Sequence, residues 1–187
     1  MTTRRRLGLS PLDANPAEAL RAAIRDVPDF PSPGILFKDV TPILGDEALF
    51  RAATRGMADP FSDQGITHVA GIESRGFIFG APVAQHLGSA FVPVRKKGKL
   101  PARTVSIEYA LEYGLAALEL HADALPPRSR VLVVDDVLAT GGTASAACAL
   151  VERIGGTVVG CSFLLTLSFL AGTEAISGRQ VHCLVTY

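Results

Sequence analysis

The sequence predicts an α/β fold, doubly wound, with a mainly parallel sheet flanked by helices. Short, almost wholly apolar runs alternate with longer helical patterns, most clearly "VLVVDD" (131–136) before "GGTASAACALVERIGG" (141–156). Strands that read as unbroken apolar runs are covered on both faces, which is the condition of a parallel sheet. The chain has 187 residues, 48% of them hydrophobic and 19% charged, enough for one substantial core.

The elements follow in order. "NPAEALRAAIRDV" (15–27) reads as an amphipathic helix capped by Asn15 and ended by "PDFPSPG". "PILGDEALFRAATRGMADPF" (42–61) carries a second helix, with Asp46 as its cap. "GITHVAGIE" (65–73) is a buried strand, and "SRGFIFGAPVAQHLG" (74–88) a helix closing on Gly88. "AFVPVRK" (90–96) is strand-like and runs into a charged, Gly/Pro-punctuated loop, "RKKGKLPART" (95–104). "TVSIEYALEYG" (104–114) sets Val105, Ile107, Tyr109, Leu111 and Tyr113 against Ser106, Glu108, Ala110 and Glu112, a period of two. "TVVGCSFLL" (157–165) and "VHCLVTY" (181–187) complete the strands.

Lys and Arg number 18 and so do Asp and Glu, so no global charge draws the chain toward nucleic acid or membrane. Cys148, Cys161 and Cys183 lack metal or redox spacing and read as free thiols of a reducing compartment. "TRRRLGLSPLDANP" has a basic cluster with no apolar run behind it, so it is not expected to act as a secretory signal. The greasiest stretch, "CSFLLTLSFLAG" (161–172), is too short to span a bilayer. A soluble cytoplasmic protein is expected, with a flexible terminus over 1–15 and one domain over 16–187.

Ligands of such sheets bind beyond the carboxyl ends of the strands. "VLVVDDVLATGGT" (131–143) places there an acid pair and a turn nearly without side chains. Amides of Ala139, Thr140, Gly141, Gly142 and Thr143, at the start of a helix, form an anion cradle. Asp135 and Asp136 suit the hydroxyl pair of a ribose whose 5′-phosphate occupies the turn. No lysine follows the glycines, so a nucleoside-triphosphate loop is excluded, and "TGGTAS" lacks the dinucleotide spacing.

This stretch resembles the phosphoribosyl-pyrophosphate (PRPP) signature of type I phosphoribosyltransferases. "VPDFPSPGILFKDVTPIL", "AGIESRGFIFG", "RKKGKLP" and "YALEYG" follow the order of the adenine phosphoribosyltransferase family, over nearly all of the chain beyond its first fifteen or so residues. The resemblance implies a type I fold with a small N-terminal hood and a mobile lid loop. It implies the reaction of adenine with PRPP to give AMP and pyrophosphate, in purine salvage, and usually a homodimer. Ser74 and Arg75, with Arg95, Lys96 and Lys99 of the basic loop, are then expected at the pyrophosphate. Leu36, Phe37 and Lys38 are expected at adenine, with Val137 standing where the family often has leucine. Enzymes for 6-oxopurines resemble D-x-x-D-T-G in the phosphate loop; Ala139 replaces that second acid here, which disfavours those bases. Glu112 matches the lid glutamate and is expected to accept the adenine proton, with Tyr113 beside the substrate, whereas Glu108 on the same strand suits solvent. Mg²⁺ is expected, held mainly by substrate and water without direct protein ligands. The alternatives are a phosphoribosyltransferase for another base and a PRPP-binding regulator without catalysis.

Overall fold

The computed structural model describes residues 15–110 and 115–187. They fall into two compact units, the first running to Ala53 and the second from Thr54 to Tyr187.

The first unit opens with α1 (Pro16–Ala23), capped by Asn15, whose Oδ1 accepts the Glu18 N–H at 3.3 Å. The helix stops four residues short of the expected end. Arg25–Pro28 form β1, paired antiparallel with β2 (Leu36–Asp39) from Arg25 opposite Asp39 to Pro28 opposite Leu36. β-branched Ile24 and Val27 disfavour a helix ahead of Pro28. The ladder adds an ion pair between Lys38 Nζ and Asp26 Oδ1 at 2.6 Å. Gly34 N–H donates to Asp29 Oδ1 at 2.7 Å in the connecting turn. α2 (Thr41–Leu44) follows, then α3 (Glu47–Ala58), where the Asp46 carboxylate accepts the Leu49 N–H at 2.9 Å as expected of a cap. Leu20, Ile24, Val40 and Ile43 are buried in this stretch, as are Ala53, Met57 and Ala58 on α3.

The second unit is built on a seven-stranded sheet. Its strands are β3 (His68–Ile72), β4 (Ala90–Lys96), β5 (Thr104–Ala110), β6 (Leu115–His121), β7 (Arg130–Leu138), β8 (Thr157–Thr166) and β9 (Gln180–Thr186). The order is β5-β6-β4-β3-β7-β8-β9. The five strands from β4 to β9 run parallel, and β6 and β5 join antiparallel at one edge. β6 has no counterpart among the expected elements. Ala and Leu dominate it, and its strand state comes from pairing along its whole length with β5.

α4 (Arg75–His86) connects β3 to β4, and α5 (Gly142–Arg153) connects β7 to β8. The two connections leave neighbouring strands in opposite directions along the sheet, so β3 and β7 mark the switch of strand order. Right-handed crossovers then put the helices on opposite faces and open a crevice beyond the carboxyl ends of β3 and β7. The core beneath includes Ile72, Val94, Leu118, Val133, Leu150 and Phe163, each at most 1% exposed.

Candidate active site

Two loops meet at that switch. The acid pair lies near the end of β7, ahead of the loop that follows it: Asp136 is 2% exposed, while Asp135 is half-buried. Asp136 N–H donates to Asp135 Oδ1 at 2.9 Å. Burial, and next the charge of Asp136, push the Asp135 carboxyl well above the ordinary aspartate range. Burial raises Asp136 too, against the opposing pull of the Arg75 guanidinium. The two carboxyl groups together present oxygens of the kind that sugar hydroxyls or a hydrated cation take.

Beyond the acids the chain turns through Gly141, at φ 81°, a left-handed conformation that favours glycine. α5 starts at Gly142, so the amides of its first turn lack intrahelical partners. Ser145 N–H closes the first helical bond to Gly141 O at 2.8 Å. Ala139 and Thr140 precede the turn, Thr140 exposed. Thr143 Oγ1 donates to the Tyr109 hydroxyl of β5 at 3.3 Å. Tyr109 is the contact that sequence reasoning missed. It sat in the apolar file of an alternating strand, and the usable signal was that a phenol on such a face needs a polar partner.

The loop after β3 holds Glu73 and Ser74, joined by a cis peptide, and Arg75 opens α4. Arg75 Nε lies 2.8 Å from Asp136 Oδ2, joining the two loops. Gly76 permits the approach: a Cβ there would lie 2.8 Å from both Asp135 Oδ1 and Val134 O.

The basic loop leaves β4 on the same side. Arg95 is turned toward the protein: its Nε and Nη2 donate to Glu73 at 3.2 and 3.4 Å, and its Nη1 to Lys99 O at 2.9 Å. The Glu73 carboxyl, raised by burial, is drawn more strongly the other way by Arg95 and the Lys96 N–H and lies below its ordinary range. Lys96, Lys97 and Lys99 are exposed, with Lys97 Nζ 3.5 Å from Glu108, itself exposed as expected. The structure thus gathers Ser74, Arg75, Asp135, Asp136 and the 139–143 loop around one strand switch. Val137 lies next along β7, half-buried. Leu36, Phe37 and Lys38 share β2 in the first unit, where the Phe37 ring meets Phe30 edge-on at 5.1 Å. Glu112 and Tyr113 lie outside the described residues.

Among the described residues, no helix is long and apolar enough to cross a membrane. The phosphoribosyl transferase domain family matches residues 40–180. An adenine phosphoribosyltransferase of Nitrosococcus oceani is 57% identical over 170 residues, covering 91% of this chain and 99% of that protein. The crystal structure of adenine phosphoribosyltransferase from Rhodothermus marinus matches with a TM-score of 0.88 at 54% identity, over 92% of this chain and 98% of that one. The Saccharomyces cerevisiae enzyme, complexed with D-2,5-dideoxy-2,5-imino-altritol 1,6-bisphosphate and adenine, matches with a TM-score of 0.86 at 39% identity, over 90% of this chain and 98% of that one. Likeness of this extent, over a fold whose switch point carries the phosphate turn and the acid pair, places the chain in the adenine phosphoribosyltransferase family.

Proposed function

We propose that the chain transfers the 5-phosphoribosyl group of PRPP to adenine, giving AMP and pyrophosphate in purine salvage. The observation that carries this is the convergence of the acid pair, Asp136 buried and Asp135 half-buried, with the amide turn of α5 at the β3/β7 switch. The amides of 139–143 bind the 5′-phosphate, and Asp135 and Asp136 accept the ribose hydroxyls. Ser74 and Arg75, with Lys96 and Lys99, receive the pyrophosphate. Arg95 belongs to the same group, and its tie to Glu73 and Lys99 O supports a part in shaping the basic loop. Adenine recognition is assigned to Leu36, Phe37 and Lys38 of β2 and to Val137 of β7.

In the reaction the C1′–O bond to pyrophosphate breaks, the C1′–N9 bond to adenine forms, and the ring proton of adenine leaves. Glu112 is assigned to take that proton, and a lid over the site would exclude water from the activated sugar. The positive charge developing on the ribose is stabilised by the anionic groups around it, a mainly electrostatic form of catalysis. The donor set fits Mg²⁺ carried chiefly by substrate and water. Asp135 and Asp136 offer hard oxygens that the water or sugar hydroxyls around Mg²⁺ can reach. Bound with PRPP, Mg²⁺ would neutralise charge on the departing pyrophosphate. Three free cysteines agree with work in the reducing cytoplasm. The family resemblance supports a homodimer, which light scattering tests directly.

The deciding experiment mixes the protein with Mg²⁺, PRPP and one base at a time and measures pyrophosphate. Release with adenine alone is expected. Release with another base instead would move the substrate, and tight PRPP binding with no release for any base would leave a regulator.

A further inference from the structure

We infer that Glu119, a buried carboxylate on β6, is a positioning residue that holds the Lys96–Lys99 turn in place for the pyrophosphate group. The inference rests on the reading above that this turn receives pyrophosphate. Glu119 is 4% exposed and faces Arg95 across the β4–β6 ladder and Ser106 across the β5–β6 ladder. Its Oε1 accepts the backbone N–H groups of both Lys99 and Leu100 at 2.9 Å. The β4–β6 ladder ends at Lys96 opposite Leu118, with the Lys97 N–H reaching Ala117 O. Beyond it, one charged atom satisfies two donors of the turn, in the stronger class of hydrogen bond. The carboxyl stays ionised: burial raises it, but the N–H groups of Leu100, Gly98 and Lys99 outweigh that and leave it below its ordinary range.

Glu73 grips the other end of the turn, accepting the Lys96 N–H at 3.0 Å together with the Arg95 guanidinium. The backbone of the turn is thus pinned from behind by two carboxylates while the lysine side chains stay exposed. Three ammonium groups within the four residues Lys96–Lys99 repel one another, and an unanchored turn would spread them. Anchoring supplies beforehand the order that PRPP would otherwise have to impose on binding. Adenine makes no demand on this turn, so the effect falls on one substrate. Neither bond is needed to form β6, which is laddered to β5 from Leu115 to His121.

The test compares Glu119→Ala, Glu119→Asp and Glu119→Gln in steady-state kinetics. Glu119→Ala is expected to raise KM for PRPP about tenfold while KM for adenine stays within about twofold. Glu119→Gln, whose amide oxygen can accept the same two N–H groups, recovers most of the loss. Glu119→Asp keeps the charge at shorter reach, raises KM for PRPP about threefold, and decides the matter if the alanine variant does not fold. An unchanged KM for PRPP in the folded variants, or equal rises for both substrates, overturns the role of Glu119. A wild-type protein that releases no pyrophosphate with adenine would instead overturn the underlying reading of function.

Discussion

Gly172 lies far from the signature in sequence, yet its packing predicts a defect in PRPP binding. It follows the 3₁₀ turn Ser168–Leu170, with Ala171 at φ 51°, and closes against the back of the phosphate loop. A Cβ at Gly172 would be driven into the Ala139 carbonyl oxygen, with Ala139 C at 3.0 Å and Gly141 N at 3.1 Å. The three nearest atoms are all backbone, so no side-chain rotation relieves the closest contacts. Overpacking of a yielding core costs about 1–3 kcal/mol, and unyielding neighbours put Gly172→Ala near the upper end, about 3 kcal/mol, if the loop holds its place. If the loop moves instead, a displacement on the order of 1 Å at a substrate-holding segment costs up to about a hundredfold in rate. The two costs trade against each other, so both must be measured: urea unfolding for stability, and KM for PRPP and adenine for the loop. A variant with wild-type stability and wild-type KM for PRPP would refute the packing argument.

Three further outcomes follow from the same structure. Asp135→Asn removes a carboxyl whose folded pKa is raised, so the native state binds its proton more tightly than the unfolded chain does. Native stability therefore falls as pH climbs from the ordinary aspartate value through the raised one, and the variant should be more stable above that window by about 1 kcal/mol while binding PRPP at least about tenfold more weakly. Thermal melts across pH and PRPP titration check both halves. Tyr109→Phe deletes the acceptor of the Thr143 hydroxyl and is expected to cost about 1 kcal/mol, read as a several-fold rise in KM for PRPP. Glu73 has a depressed folded pKa, so its contribution is present above the ordinary glutamate value and lost as pH falls through the depressed one. The stability gap between wild type and Glu73→Gln should accordingly be widest near neutrality and close as pH falls below the ordinary glutamate range in acid unfolding.

Much of the architecture was legible because its signals are local. β3 and β7 are unbroken apolar runs, the turn at Gly141 announces itself by composition, and Asn15 and Asp46 cap the helices assigned to them. β6 was not legible, since "LAALELH" is composed of good helix formers and only its pairing with β5 makes it a strand. β1 was absorbed into the helix before it for a related reason: its partner β2 arrives only after an intervening turn. At the site, the acid pair and the phosphate turn were readable as chemistry, but the Arg75–Asp136 contact was not, because the two residues meet only through the pairing of β3 with β7. Glu119 is the extreme case. A glutamate inside an apolar strand carries no sign of its role until the turn donating to it is seen.

A crystal of the protein grown with AMP tests the central assignment most directly. The nucleotide phosphate should accept hydrogen bonds from backbone amides between Ala139 and Thr143, with the ribose hydroxyls on Asp135 and Asp136. Density for AMP elsewhere, with that turn and the two aspartates untouched by it, would contradict the account.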